Sequence, residues 1–103
     1  MGSREEFHMK LQSLLGDEWT LYYQSPSNHI LKYPCVMYSL VNTSTRYAND
    51  TMYNFKKHYQ VTFMYKNHDV DIIELMLRNI MYCSYDRRFI ADNIYHDVFN
   101  VYL

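Results

Sequence analysis

The chain has little glycine, proline or cysteine, and each shortage argues against a class of protein. Its 103 residues include only two of each. Two cysteines cannot build the framework of a disulfide-rich secreted domain, and two glycines supply little of the backbone freedom that phosphate-binding loops and nucleophile elbows require. No Cys-x-x-Cys or His-Glu-x-x-His motif is present. The sequence therefore predicts no metal, no cofactor and no enzymatic activity.

Charge and hydrophobicity are spread evenly along the chain. The formal net charge is −1, whereas a protein that holds nucleic acid mainly by electrostatics needs a concentration of Lys and Arg. No apolar stretch approaches the ~18 residues of a membrane span, and the first six residues do not resemble a signal peptide. We expect a protein that stays in a cytosol, without a membrane partner.

Cys35 and Cys83 are then expected to be reduced, as small buried residues, with a disulfide between them as the alternative.

Aromatic residues and methionine are abundant. The chain contains twelve Tyr, seven Met, five Phe and one Trp, too many for a single 103-residue domain to bury completely. Tyr and Met are favoured at protein–protein interfaces, where they bury a large area. Tyr is also a good strand residue, so composition alone leaves both explanations open.

Residues 53–65 predict a long strand around which the rest of the chain is organised. Apolar and polar residues alternate along it, which places one set on a buried face and the other in water. Lys57 interrupts the apolar row, and Met64 interrupts the polar one. The apolar row consists of Tyr53, Phe55, Tyr59, Val61, Phe63 and Tyr65.

Two amphipathic helices are predicted, over residues 4–15 and about 69–81. The first begins at a capping box formed by Ser3 and Glu6 and ends before Gly16. The second is expected to be capped at Asn67 or Asp69. The apolar stripes contain Phe7, Leu11, Leu14 and Leu15 in the first helix, and Ile73, Met76, Leu77 and Ile80 in the second.

The remaining strands are predicted over residues 19–24, 33–41 and 83–103, the last being a hairpin with its turn at Asp92-Asn93. Residues 42–51 are polar and fit either a loop or the outer part of a long hairpin that turns at Asn49-Asp50. The predicted fold is α+β in a single domain. It has a mainly antiparallel sheet covered on one face by two helices, a long central hairpin and a C-terminal β-hairpin.

Two groups of reactive side chains have simple structural explanations. Cys35 or Cys83 with His58 or His96 would form a Cys–His pair, but no oxyanion-hole loop accompanies them. Asp86-Arg87-Arg88 is the densest charge cluster and could bind phosphate. The same pattern is expected on the wet face of a strand, which is the simpler interpretation. From the residues alone, the best interpretation is that the chain is an interaction protein.

Three stretches resemble a family of small proteins from the morphogenesis clusters of tailed phages and prophages of Gram-positive bacteria. Members are described as minor capsid, tail completion or head–tail joining proteins. The stretches are residues 33–38 (Tyr-Pro-Cys-Val-Met-Tyr), residues 46–50 (Arg-Tyr-Ala-Asn-Asp) leading into 57–62 (Lys-His-Tyr-Gln-Val-Thr), and residues 83–99 (Cys-Ser-Tyr-Asp-Arg-Arg-Phe-Ile-Ala-Asp-Asn-Ile-Tyr-His-Asp-Val-Phe).

The resemblance implies a structural virion protein of the phage neck, assembled in the host cytoplasm. Tail terminators of this kind form a ring, usually a hexamer, that stops the growth of the tail tube and joins it to the head. The implied partners are other copies of the chain, the tail tube protein and a head–tail connector or stopper protein. DNA would pass through the lumen without specific binding.

Three functions remain in competition at this stage: a tail terminator, another neck component such as a head-completion or stopper protein, and a small enzyme or nucleic-acid binder that uses Arg87 and Arg88. For the terminator we expect the polar hairpin to reach a neighbour or the tail tube. The candidate interface residues are Arg46, Tyr47, Asn49, Asp50, Tyr53, Arg87 and Arg88.

Overall fold

The computed structural model describes residues 4–24, 30–48, 52–66 and 71–102, with backbone only for 42–48 and 52–56. It confirms the α+β class: two helices accompany a mixed five-stranded sheet of order β1-β2-β3-β5-β4. β1 pairs with β2 in parallel, and the other three pairs are antiparallel. The elements are α1 (Arg4–Leu15), β1 (Thr20–Tyr23), β2 (Cys35–Ala48), β3 (Met52–Tyr65), α2 (Ile72–Asn79), β4 (Cys83–Ala91) and β5 (Ile94–Tyr102). No helix in the described ranges is long and apolar enough to cross a membrane.

The centre of the core is the described part of the predicted apolar row of β3, residues 59–65. Tyr59, Val61, Phe63 and Tyr65 are all buried. The Phe63 ring packs edge-on against Phe99 of β5 at 5.5 Å between centroids. Both helices contribute to the same buried cluster, whose other members are Phe7, Leu11, Trp19, Val36, Tyr38, Ile72, Met76, Ile80, Phe99 and Val101. β3 therefore holds the sheet and the helices together through one alternating set of side chains.

The helix ends follow local chemistry. α1 ends where the N–H of Gly16 donates to the carbonyl of Gln12 at 2.9 Å, with Gly16 at φ +79°, a conformation that favours glycine. The predicted cap of α2 at Asn67 or Asp69 is wrong. The carboxylate of Asp71 accepts from the N–H of Glu74 at 3.1 Å, so the helix begins at Ile72. Asn67 and Asp69 lie outside the described residues.

β2 is longer than the predicted 33–41, because the polar residues after Val41 continue the strand to Ala48. This settles the choice between a loop and a hairpin: the backbone of 42–48 pairs antiparallel with β3 as far as Ala48–Met52. The register shifts between Leu40 and Asn42, which leaves Val41 in a bulge.

A smaller cluster forms on the side of the sheet that β3 was predicted to expose. Cys35, Met64 and Ile94 are buried there, with Leu31 packed against them. The chain before β2, through Leu31, covers this corner of the sheet. This cover explains why the apolar Met64 interrupts the polar row.

The cysteines are free, and the topology excludes the alternative of a disulfide between them. β3 and β5 lie between β2, which carries Cys35, and β4, which carries Cys83. Three strand spacings amount to about 14 Å, twice the distance that a disulfide bridges.

The C-terminal hairpin turns at Asp92-Asn93, as predicted from the sequence. Asp92 and Asn93 both have positive φ, 53° and 63°, and join β4 to β5. Two-residue turns of this kind match the twist of the strands. One charged residue of β5 is buried: Asp97 is completely inaccessible to solvent.

The two thiols should react slowly in the folded protein. Burial raises the pKa of Cys35 and of Cys83 to about 11, so little reactive thiolate is present near neutral pH. We expect slow modification of both by a soluble thiol reagent under native conditions and fast modification in denaturant, measured by mass spectrometry. Fast native modification of Cys35 would contradict its position in the core.

Candidate interaction surface

The most prominent feature is a two-stranded arm formed by residues 43–48 of β2 and 52–57 of β3. β5 pairs with β3 only from His58 to Tyr65. Beyond that point, the described backbone of β3 pairs with β2 alone. Six residues of strand extend about 20 Å. An isolated two-stranded hairpin is marginally stable in water, so an arm of this length is a natural site for contact with a partner.

The structure places the predicted interface residues in two separate regions. Arg46 pairs with Asn54, and Tyr47 pairs with Tyr53, which puts three of them together in the outer half of the arm. Asn49 and Asp50 lie outside the described residues. Arg87 and Arg88 are on β4, the edge strand that β5 separates from β3.

Exposed apolar side chains surround the base of the arm. At the β2 side, the bulged Val41 is 52% exposed and its neighbour Leu40 is 41% exposed. On the β5 side, the ring of Tyr102 stacks on His58 at 4.6 Å, and the N–H of Tyr102 donates to the carbonyl of Tyr82. This rim was not predicted, because each residue reads as an ordinary strand or helix residue until the sheet brings them to one end.

A groove of about 530 Å³ opens beside this rim, where the end of α2 meets the beginning of β4 and the end of β5. Leu77, Met81 and Tyr82 are 47%, 74% and 60% exposed. Leu77 was predicted to lie on the apolar stripe of α2, and its exposure shows that the stripe extends past the core. The groove is lined by Lys10, Leu77, Arg78, Asn79, Ile80, Met81, Tyr82 and Tyr102, with no carboxylate among these described residues.

The backbone at Tyr82 is strained. Its φ is +56°, an uncommon conformation for a bulky aromatic residue, and such strain concentrates at functional positions. The conformation occurs in the tight connection from α2 to β4, directly beside the groove.

Arg87 and Arg88 do not form one basic site. Neighbouring strand residues point to opposite faces. Arg88 donates to the buried carboxylate of Asp97 from Nε at 2.6 Å and from Nη2 at 3.2 Å. Arg87 instead pairs with Asp86 at 2.9 Å. Arg88 is held by a buried carboxylate and only Arg87 has an exposed, weak pair, which disfavours an interpretation in which both bind one phosphate.

Asp97 is the centre of a buried polar network that joins three strands. Besides Arg88 of β4, it accepts from the hydroxyl of Tyr65 of β3 at 2.6 Å and, more weakly, from that of Tyr85 of β4 at 3.4 Å. Burial, and then the bond to Asp97, raise the pKa of Tyr65 to about 12. The hydrogen bond to Asp97 likewise raises the pKa of Arg88. A buried carboxylate is tolerated because these donors replace its water.

The suggested Cys–His pairs receive no support from the described contacts. His58 hydrogen-bonds Asn100 at 2.7 Å, and His96 lies 3.0 Å from the carbonyl of Ile94 while stacking on Phe89. Cys35 lies among apolar residues of the smaller cluster.

Comparison of the chain with protein-family models, with curated proteins and with solved structures found no match.

The network at Asp97 should contribute strongly to stability. Asp97→Ala removes the carboxylate that accepts from the buried Tyr65 hydroxyl and from the Arg88 guanidinium. We expect it to lower the free energy of unfolding by about 2–4 kcal/mol in urea denaturation. Asp86→Ala is the control, because it removes an exposed ion pair worth below about 1 kcal/mol. Equal losses in the two variants would contradict the role assigned to Asp97.

Stability should also fall at alkaline pH. The folded protein raises the pKa of Tyr65 to about 12, above the ~10 of an unfolded tyrosine. The protonated phenol is favoured by folding, so its contribution is complete below pH ~10 and is lost as the pH rises toward 12. Urea denaturation across this range should show the loss. Tyr65→Phe should show a smaller dependence on pH, and an unchanged dependence would contradict the assignment.

Proposed function

We propose that this chain is a structural subunit of the phage neck, a tail terminator that forms a ring, caps the tail tube and joins the tail to the head. The observation that carries the proposal is the arm, with a rim of exposed apolar residues at its base. A partner surface is the simplest use for both features. The resemblance of residues 33–38, of residues 46–50 with 57–62, and of residues 83–99 to neck proteins supplies the biological setting.

The shape of the subunit supports a ring. In this proposal both helices cover one face of the sheet, and the long central hairpin and the C-terminal hairpin complete the fold. The arm and the groove are different surfaces. A contact in which the arm of one copy meets the groove of another would therefore be heterologous. Heterologous contacts close into rings when the rotation between subunits permits it.

The distribution of charge suits a channel for DNA. The formal net charge is −1, and Arg87 and Arg88 are both paired with carboxylates. In the proposed ring the residues that face the lumen are not strongly basic, so DNA passes without being held by its phosphates.

A head-completion or stopper protein is the alternative within the same neck, and its distinguishing property is the partner. A terminator binds the end of the tail tube. A stopper binds the connector of the head. A salt-sensitive complex with DNA that is abolished by replacing Arg87 and Arg88 would instead favour a nucleic-acid binder.

The charge reversal Arg46→Glu tests the arm. We expect assembly on tail tubes, measured by co-sedimentation, to weaken by about tenfold or more, because in this proposal Arg46 contacts the tail tube and the substitution replaces its cation by an anion. The unfolding transition should not change. Lys32→Glu is the control, since Lys32 is exposed and lies in the segment before β2. Normal assembly of Arg46→Glu would remove the arm from the interface.

A further inference from the structure

We propose that the groove between α2, β4 and β5 receives the arm tip of a second copy, defined as residues 47–53. The inference builds on the proposed function in that it names the surface by which copies contact each other. It depends on the groove and the arm alone, and it requires neither a tail tube nor a phage.

The geometry requires that the tip come from another copy. The groove includes Tyr102, which pairs with His58 at the base of the arm. The described arm is an antiparallel ladder that extends away from this base to Ala48 and Met52, about 20 Å distant. A paired ladder cannot fold back to its own base without breaking its hydrogen bonds, so a tip in this groove belongs to a neighbour.

The chemistry of the tip complements that of the groove. Residues 47–53 read Tyr-Ala-Asn-Asp-Thr-Met-Tyr, with one carboxylate, at Asp50, no cation, and three large residues of apolar character. The groove is lined by two cations, Lys10 and Arg78, together with apolar and aromatic side chains, and the described residues that line it include no carboxylate. Opposite charges at the rim and apolar contact at the centre are the usual arrangement of a specific interface.

Two side chains of the groove can adapt to an incoming segment. Arg78 pairs with Glu74 at 2.9 Å, but both side chains are more than half exposed, and exposed pairs of this kind are weak. Arg78 can therefore turn to a carboxylate from a neighbour at little cost. Met81 is 74% exposed and adaptable in shape, so it can close over an incoming side chain.

The contact is head-to-tail, because the tip and the groove are different parts of the surface. Reciprocal exchange between two copies gives a closed dimer. Exchange from each copy to the next gives a ring or a filament.

The first test compares Met81→Asp with Met9→Asp. Met9 is a matched control: it is 68% exposed, against 74% for Met81, and lies on α1 outside the groove. The molar mass of each purified variant is measured by light scattering over a range of concentrations. We expect Met81→Asp to weaken self-association by about tenfold or more. Met9→Asp should behave as the wild-type protein does.

A charge swap tests the partner of the groove. Lys10→Glu and Asp50→Lys should each weaken self-association, and the double variant should regain at least part of the loss, because the opposite charges meet again in reversed order. Denaturation of each variant in urea shows whether it is folded. Failure of the double variant to recover while both single variants are folded and impaired would overturn the pairing of Asp50 with this groove.

Two further results would overturn the proposal. One is a wild-type protein that remains monomeric up to about millimolar concentration, which is the limit of weak association. The other is normal association of Met81→Asp. Co-sedimentation with tail tubes separates this proposal from the neck function. If the protein binds tubes but substitutions in the groove do not change self-association, only the groove proposal is refuted. If self-association depends on the groove but the protein does not bind tubes, only the neck function is refuted.

Discussion

The structure depends on β3 being paired on both sides while its side chains alternate between two faces. β2 pairs with residues 52–64 of β3, which is nearly the whole strand, and β5 pairs with residues 58–65 of β3. Tyr59, Val61 and Phe63 then point into the cluster that contains residues of both helices. Because the side-chain period of a strand is two, a slip of one residue would expose this whole row. The hydrophobic row therefore fixes the register with β2 and β5 together.

The same strand links the fold to the proposed function. The part of β3 that β5 covers belongs to the sheet, and the part beyond His58 becomes the arm. At the opposite end, Tyr65 donates to Asp97 and so ties β3 to β5, while Arg88 ties β4 to the same carboxylate. One end of β3 is thus anchored by a buried polar network. Beyond His58 the strand continues into the arm, and exposed apolar residues surround the base of that arm, which is the arrangement expected of a subunit that presents one adhesive region.

Features set by local chemistry were predictable from the sequence. α1, the alternation of β3 and the turn at Asp92 and Asn93 each depend on residues close together in the chain. Features set by distant contacts were not predictable. The burial of Asp97 requires donors from β3 and β4, and the divergence of Arg87 and Arg88 requires Asp97. The groove was also missed, because the exposure of Leu77 depends on where α2 ends relative to the sheet. Only the outer arm residues, Arg46, Tyr47 and Tyr53, were both proposed from the sequence and brought together by the strand pairing.

The most direct measurement is electron microscopy of purified tail tubes after incubation with the wild-type protein. We expect a ring seated on one end of each tube, with no decoration along its length, and tubes that no longer elongate when tail tube protein is added. Bare tubes that continue to elongate at saturating protein would contradict the terminator role. Binding to isolated head connectors in the same preparation would then assign the chain to the head side of the neck.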